Sequence, residues 1–200
     1  IANTLNHPNL NLLKNSGEVH LDDFFALNVL SVFDEDNWTA PTNKDKVNIA
    51  LYHGSISGCL TDSGWVMDVG ENEIDIFDKF DYAMLGDIHK TNQILDKEGR
   101  IRYAGSTVQQ NFGETIGKGF LLWNIYDKEK FAVKDISIEN PKPFISVTLT
   151  REGKVPDTTI PGGARVRLIV ENSLTSTALT KAVDVAKKKF KPESISVINK

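Results

Sequence analysis

Apolar residues in this chain fall in short runs broken by glycine, proline and acidic clusters, a pattern of strands more than of helices. Val47 to Tyr52 is almost continuously apolar, which predicts a strand buried on both faces. Phe25 to Phe33 predicts a second buried strand, and Tyr82 to Gly86 a third. Residues 9–14 and 18–21 alternate around Ser16-Gly17 and predict a hairpin. Between residues 71 and 80, Ile74, Phe77 and Phe80 recur at helical spacing behind acidic residues, which predicts a short helix leading into the Tyr82 strand. Two further hairpins are expected. One joins Gln93–Leu95 to Arg100–Tyr103 through Asp96-Lys97-Glu98-Gly99; the other joins Phe120–Ile125 to Phe131–Ile138.

The pattern changes at Asn140-Pro141-Lys142-Pro143, which divides the chain into domains at 1–140 and 141–200. Beyond it, strands are predicted at 144–150 and 164–171, with Arg165 and Arg167 on one face. Residues 176–190 carry the clearest helix, with a stripe of Leu179, Ala182, Val183, Ala186 and Phe190. Ser173, Thr175 or Ser176 can cap it, Lys187 to Lys189 suit its negative end, and Pro192 ends it before a last strand over 195–198. The expected fold class is α/β but β-rich, with a small β-α-β lobe at the end.

Composition narrows the function. A net charge of −4 gives no global attraction for nucleic acid, so any such contact must come from local groups or a partner. The single cysteine, Cys59, rules out an internal disulfide framework and suits a reducing, cytoplasmic setting. No apolar run is long enough to span a bilayer, and the first residues lack a signal-peptide pattern. Ile1-Ala2-Asn3-Thr4-Leu5 reads like the interior of a longer chain, and Ser194 to Lys200 like a strand cut short.

Candidate chemistry gathers at two predicted strand ends. Gly86-Asp87-Ile88-His89 offers a carboxylate and an imidazole two residues apart, which an extended chain would turn to one side while Ile88 packs on the other. His53-Gly54 ends the Val47 strand and offers a second imidazole. Such oxygen and nitrogen donors suit a divalent cation. Taken singly, each His is more often structural; His7 and His20 are read as ordinary surface residues. The acidic loop Asp34-Glu35-Asp36 lacks the glycine and final Glu of an EF-hand and is read as solvated.

Taken in order, His53-Gly54, Tyr82 to His89, Tyr103-Ala104-Gly105-Ser106 and Phe112-Gly113-Glu114 resemble the second half of a calcineurin-like metallophosphoesterase. Within that superfamily they are most similar to SbcD-type DNA repair exonucleases, over about residues 45–125. The tail, Arg165 to Asn199, resembles part of the capping domain that follows in those nucleases. The resemblance implies the second half of a β-sandwich flanked by helices, with His53, Asp87 and His89 as ligands to two divalent ions, Mn²⁺ first and Mg²⁺ as the alternative. It places Lys90, Tyr103, Gly105 and Ser106 beside the substrate. Arg102, Gln109 and Gln110 can reach a DNA backbone, although solvated surface is their ordinary role. The resemblance further implies a DNA endonuclease or exonuclease acting in repair or recombination, homodimeric, with an SbcC-type ATPase as partner. Two features depart from the family. Its N-terminal metal blocks and its proton-transferring His are not in this chain, and Asp87 stands where the family has His. That Asp either ligates, favouring harder ions, or leaves the metal. The alternatives are a metallophosphatase acting on a nucleotide or phosphoprotein, and a catalytically incomplete fragment that binds DNA or a partner.

Overall fold

The computed structural model describes residues 12–171 and 173–200. His7 and the first part of the predicted N-terminal hairpin lie outside the described residues. The chain is mostly β, with a mixed six-stranded sheet, two smaller sheets and, among the described residues, one α-helix. No helix among these residues is long and apolar enough to cross a membrane. Two compact units are present: one runs to Ser106 and resumes over Phe120–Ile136, and the other comprises Thr107–Gly119 and Ser137–Lys200.

The first unit is built on β1 (Gly17–His20), β2 (Phe25–Leu30), β3 (Val47–His53), β4 (Tyr82–Gly86), β5 (Gln93–Ile94) and β6 (Ile101–Tyr103). Their order is β1-β2-β3-β4-β6-β5. The four central strands are parallel, while β1 and β5 run antiparallel at the two edges. β3 sits in the middle and is buried on both faces, as its apolar run predicts. One face carries Leu30, Ala50, Tyr52, Ala83 and Leu85 into a core with Ile56, Phe77, Ile88 and Tyr103. The other carries Val47, Ile49 and Tyr82 against Trp123 and Phe131 of the hairpin formed by β7 (Lys118–Ile125) and β8 (Phe131–Ile138). Tyr82 meets both aromatic rings edge-on, at centroid distances of 6.2 and 5.2 Å.

Two local expectations are corrected. Residues 12–14 form no strand, and β1 pairs instead with β2. The turn between them is fixed by Asp22, whose Oδ1 accepts from the Phe24 and Phe25 N–H groups at 2.7 Å each. That Asx turn outweighs the Ser16-Gly17 signal. The helix expected over 71–80 contracts to one 3₁₀ turn, Ile74–Phe77. Its flanks are pinned: Ser57 N–H donates to Asn72 O at 2.9 Å, and Asp81 N–H to Asn48 O at 2.9 Å. The short connection between those anchors leaves room for a single turn, which buries Phe77.

The second unit has a parallel sheet of β9 (Phe144–Thr148), β10 (Arg165–Val170) and β11 (Ser194–Asn199), ordered β11-β10-β9. Helix α1 (Ser176–Phe190) packs Ala182, Ala186 and Phe190 on Val166, Leu168 and Val170. Thr175 caps it, accepting from Ala178 N–H at 3.2 Å. On the other side of the alternating β10, Arg165 lies 4.8 Å from the Phe144 ring centre and Arg167 lies 3.9 Å from that of Phe112. The segment 107–119 is tied to β9 by buried Gln109. Its Oε1 accepts from Phe144 N–H at 2.8 Å, and its Nε2 donates to Phe144 O at 3.1 Å. Phe112, of the Phe112-Gly113-Glu114 block, therefore serves as packing within this unit.

Candidate functional site

β3, β4 and β6 are consecutive neighbours and parallel, so their carboxyl ends lie at one edge of the sheet. β3 ends at His53, β4 at Gly86 and β6 at Tyr103. Each of the three sequence blocks thus emerges beside the next, and His53 is the register partner of Gly86. Ligands of parallel sheets gather beyond this edge, where loops from neighbouring strands converge.

The closest approach is between His53 and Gly86. A Cβ built on Gly86 would stand 2.5 Å from His53 Nδ1, so the imidazole lies across the glycine. Glycine at 86 is what lets the ring lie beside the start of the next loop. In that loop Ile88 is buried in the main core, while Asp87 is exposed and His89 half-buried. The inward turn of Ile88 matches the sequence reading. The extended geometry assumed for Asp87 and His89 does not hold, because β4 stops at Gly86 and Asp87 takes φ +90°. Their two-residue spacing therefore does not by itself set the two side chains on one side.

The Tyr103-Ala104-Gly105-Ser106 block acts partly from inside. Tyr103 is fully buried; its hydroxyl donates to Gly54 O at 2.7 Å and accepts from Ile56 N–H at 2.9 Å. It fixes the loop after His53 and does not reach the surface where a polymer would bind. Burial pushes this hydroxyl far above the ordinary tyrosine range, so it stays protonated as a donor well into alkaline conditions. Gly105 has φ +85°, and a Cβ there would meet Thr91 Cα at 2.7 Å, so this turn closes tightly on the His89 loop. Ser106 Oγ is shielded from solvent without a hydrogen-bond partner. Lys90 is half-buried. Arg102 is not free for a backbone phosphate: Nε donates to Gly99 O at 2.6 Å and Nη1 to Asn92 Oδ1 at 3.0 Å.

Sequence reading missed Glu71. Its Oε2 accepts from Ser55 N–H at 3.0 Å, and its own N–H donates to Ser55 O at 3.0 Å. Next to it, Asn72 Nδ2 donates to Tyr52 Oη at 3.1 Å. These contacts brace the loop after His53 from the acidic residues ahead of Ile74, which the sequence reading took only as the start of a short helix.

The donor chemistry of His53, Asp87 and His89 suits a manganese- or magnesium-class ion. Their number does not close a site: among the described residues no three His, Cys, Asp or Glu side chains stand together in a way that could hold a metal ion. They amount to a partial set that further donors would have to complete.

No protein-family model matches the chain. It is similar to an uncharacterized protein of Acanthamoeba polyphaga mimivirus, with 34% identity over 186 residues. The match covers 86% of this chain and 13% of the viral protein's length.

Proposed function

We propose that this chain is the second half of the catalytic domain of an SbcD-type DNA nuclease, followed by part of its capping domain. In this reading it contributes metal ligands to phosphodiester hydrolysis during repair or recombination. The observation that carries the reading is the meeting of the His53, Gly86–His89 and Tyr103–Ser106 blocks at the carboxyl ends of neighbouring parallel strands. Blocks of a chance resemblance would have no reason to emerge from adjacent strands at the same edge.

His53 and His89 offer imidazole nitrogens, and Asp87 a carboxylate, toward two divalent ions, Mn²⁺ before Mg²⁺. Bound together, such ions orient a water-derived nucleophile and neutralise charge on the phosphoryl oxygens. The chain's own part is positional. Gly86 admits the His53 ring, Ile88 anchors the loop that carries Asp87 and His89, and buried Tyr103 holds the loop beyond His53. The complete protein acts on DNA as a homodimer with an SbcC-type ATPase. The partial ligand set favours a second reading for these residues alone: they bind DNA or a partner and hydrolyse little.

The test is Mn²⁺-stimulated hydrolysis of linear duplex DNA by the complete protein. His53→Ala and His89→Ala should each remove it while leaving the thermal melt in place. Full activity in both variants would overturn the assignment.

A further inference from the structure

The chain that leaves β3 folds back as a small hairpin before the Ile74 turn. Leu60 and Val66 face each other across it as an antiparallel bridge. At its tip Gly64 takes φ +85° and its N–H donates to Thr61 O at 3.0 Å. Thr61 also closes the tip on Trp65. Its N–H donates to Trp65 O at 2.8 Å, and its hydroxyl oxygen accepts from Trp65 N–H at 3.1 Å. The base is held as firmly. Met67 N–H donates to Cys59 O at 2.8 Å, and Gly58 N–H donates to Met67 O at 2.7 Å. Buried Gln93 accepts from Leu60 N–H at 2.6 Å and donates to Leu60 O at 2.9 Å. Met67 packs on the main core, in which Cys59 is buried. The hairpin is therefore a fixed element and not a slack loop.

Its large apolar side chains are nevertheless left in solvent: Trp65 is 61% exposed, Val66 43% and Val69 84%. Single apolar residues scattered over a surface need no explanation, but three within five positions of a hydrogen-bonded hairpin form a patch. Trp is among the residue types most enriched where a few side chains carry an interface.

Charge decides what the patch accepts. Residues 61–78 hold six acidic residues and no Lys or Arg, more negative charge than the chain's net −4. Asp68, between Met67 and Val69, is exposed, as are Glu71 and Glu73. Ser57 Oγ accepts from Gly70 N–H at 3.0 Å and donates to Glu73 Oε1 at 2.7 Å, which holds Glu73 beside the hairpin's exit. Such a field repels phosphate, so neither a nucleic-acid strand nor an anionic lipid surface suits it. A two-fold dimer through this patch would set its acids against themselves. A cationic surface with apolar side chains of its own fits both features. Its Lys or Arg groups can lie over the exposed indole and pair with the carboxylates, while its apolar groups cover Val66 and Val69.

We propose that the hairpin from Cys59 to Val69 docks a basic amphipathic segment of a partner protein, with Trp65 as the anchor. The surface uses none of the proposed metal ligands and does not depend on the nuclease reading.

The experiment titrates the full chain into two labelled synthetic peptides, one amphipathic in Leu and Lys and the other its Leu and Glu counterpart, and reads fluorescence anisotropy. The basic peptide should bind, more weakly as salt rises, and the acidic peptide should not. Trp65→Ala should weaken binding about tenfold or more, and Trp65→Phe should recover part of that loss. Asp68→Lys should also weaken binding and flatten its salt dependence. Both positions are exposed, so the thermal melts of these variants should match the parent. Phosphatidylcholine vesicles with phosphatidylserine and a single-stranded oligonucleotide are titrated alongside. Absence of basic-peptide binding, binding unchanged by Trp65→Ala, or tighter binding to the vesicles or the oligonucleotide overturns the proposal.

Discussion

His53 and Gly86 occupy each other's space: the imidazole lies where any side chain at position 86 would have to go, 2.5 Å from the ideal Cβ position. The atom in the way belongs to an exposed side chain, so the ring can swing out while the backbone stays. Gly86→Ala should therefore leave stability within about 1 kcal/mol of the parent. It should displace His53, shift the His53 imidazole resonances and weaken Mn²⁺ binding by the complete protein. An unmoved His53 resonance in this variant would show that the contact does not place the ring.

Tyr103 gives a prediction of the opposite kind. Tyr103→Phe keeps the buried ring and removes the hydroxyl that bridges Gly54 O and Ile56 N–H. Both backbone groups are buried and would lose a partner, at a cost of about 1–3 kcal/mol. Chemical denaturation should show that loss, and the loop after His53 should exchange its amides faster. A stability change below about 0.5 kcal/mol would mean that water replaces the hydroxyl.

In the second unit, Phe112 supports Arg167 at 3.9 Å and meets Phe144 edge-on at 4.9 Å. The ring is half-buried, so Phe112→Ala should cost about 2 kcal/mol, less than a fully buried phenylalanine. Hydrogen exchange should locate the loss in β9 and β10, with metal binding unchanged. A loss of metal binding without destabilisation would instead return the Phe112-Gly113-Glu114 block to the site.

Much of the strand pattern was legible because it rests on local periods. The buried β3 follows from its continuous apolar run, the two later hairpins from turn residues set between apolar runs, and the stripe of α1 from 3.6-residue spacing. The failures came where one or two specific hydrogen bonds decide. Asp22 redirected β1 onto β2, and backbone bonds at Asn72 and Asp81 shortened the Ile74 helix. The site was legible as motifs but not as geometry. Nothing in the sequence says that β6 would sit next to β4, which is what brings Tyr103 to Ser106 beside Gly86 and Thr91. The positive φ of Asp87 also lay beyond sequence reading, since a strand pattern assumes extended backbone through His89.

Asp87 carries the prediction that best separates function from stability. A non-glycine residue at φ +90° is strained by about 1–3 kcal/mol, and the exposed side chain has no packing to offset it. Glycine would relieve that strain but would add about 0.5–1 kcal/mol of unfolded-state entropy. Asp87→Gly should therefore stabilise the chain by about 1 kcal/mol in denaturant melts. If Asp87 is a ligand, the same change should weaken Mn²⁺ binding by the complete protein, and Asp87→His, which restores the residue usual in the resembled family, should recover it without recovering the stability. Opposite movements of stability and metal affinity would mark the strain as serving the site. A variant that gains stability with metal affinity unchanged would show that Asp87 stands apart from the metal, leaving His53 and His89 as the donors from this edge of the sheet.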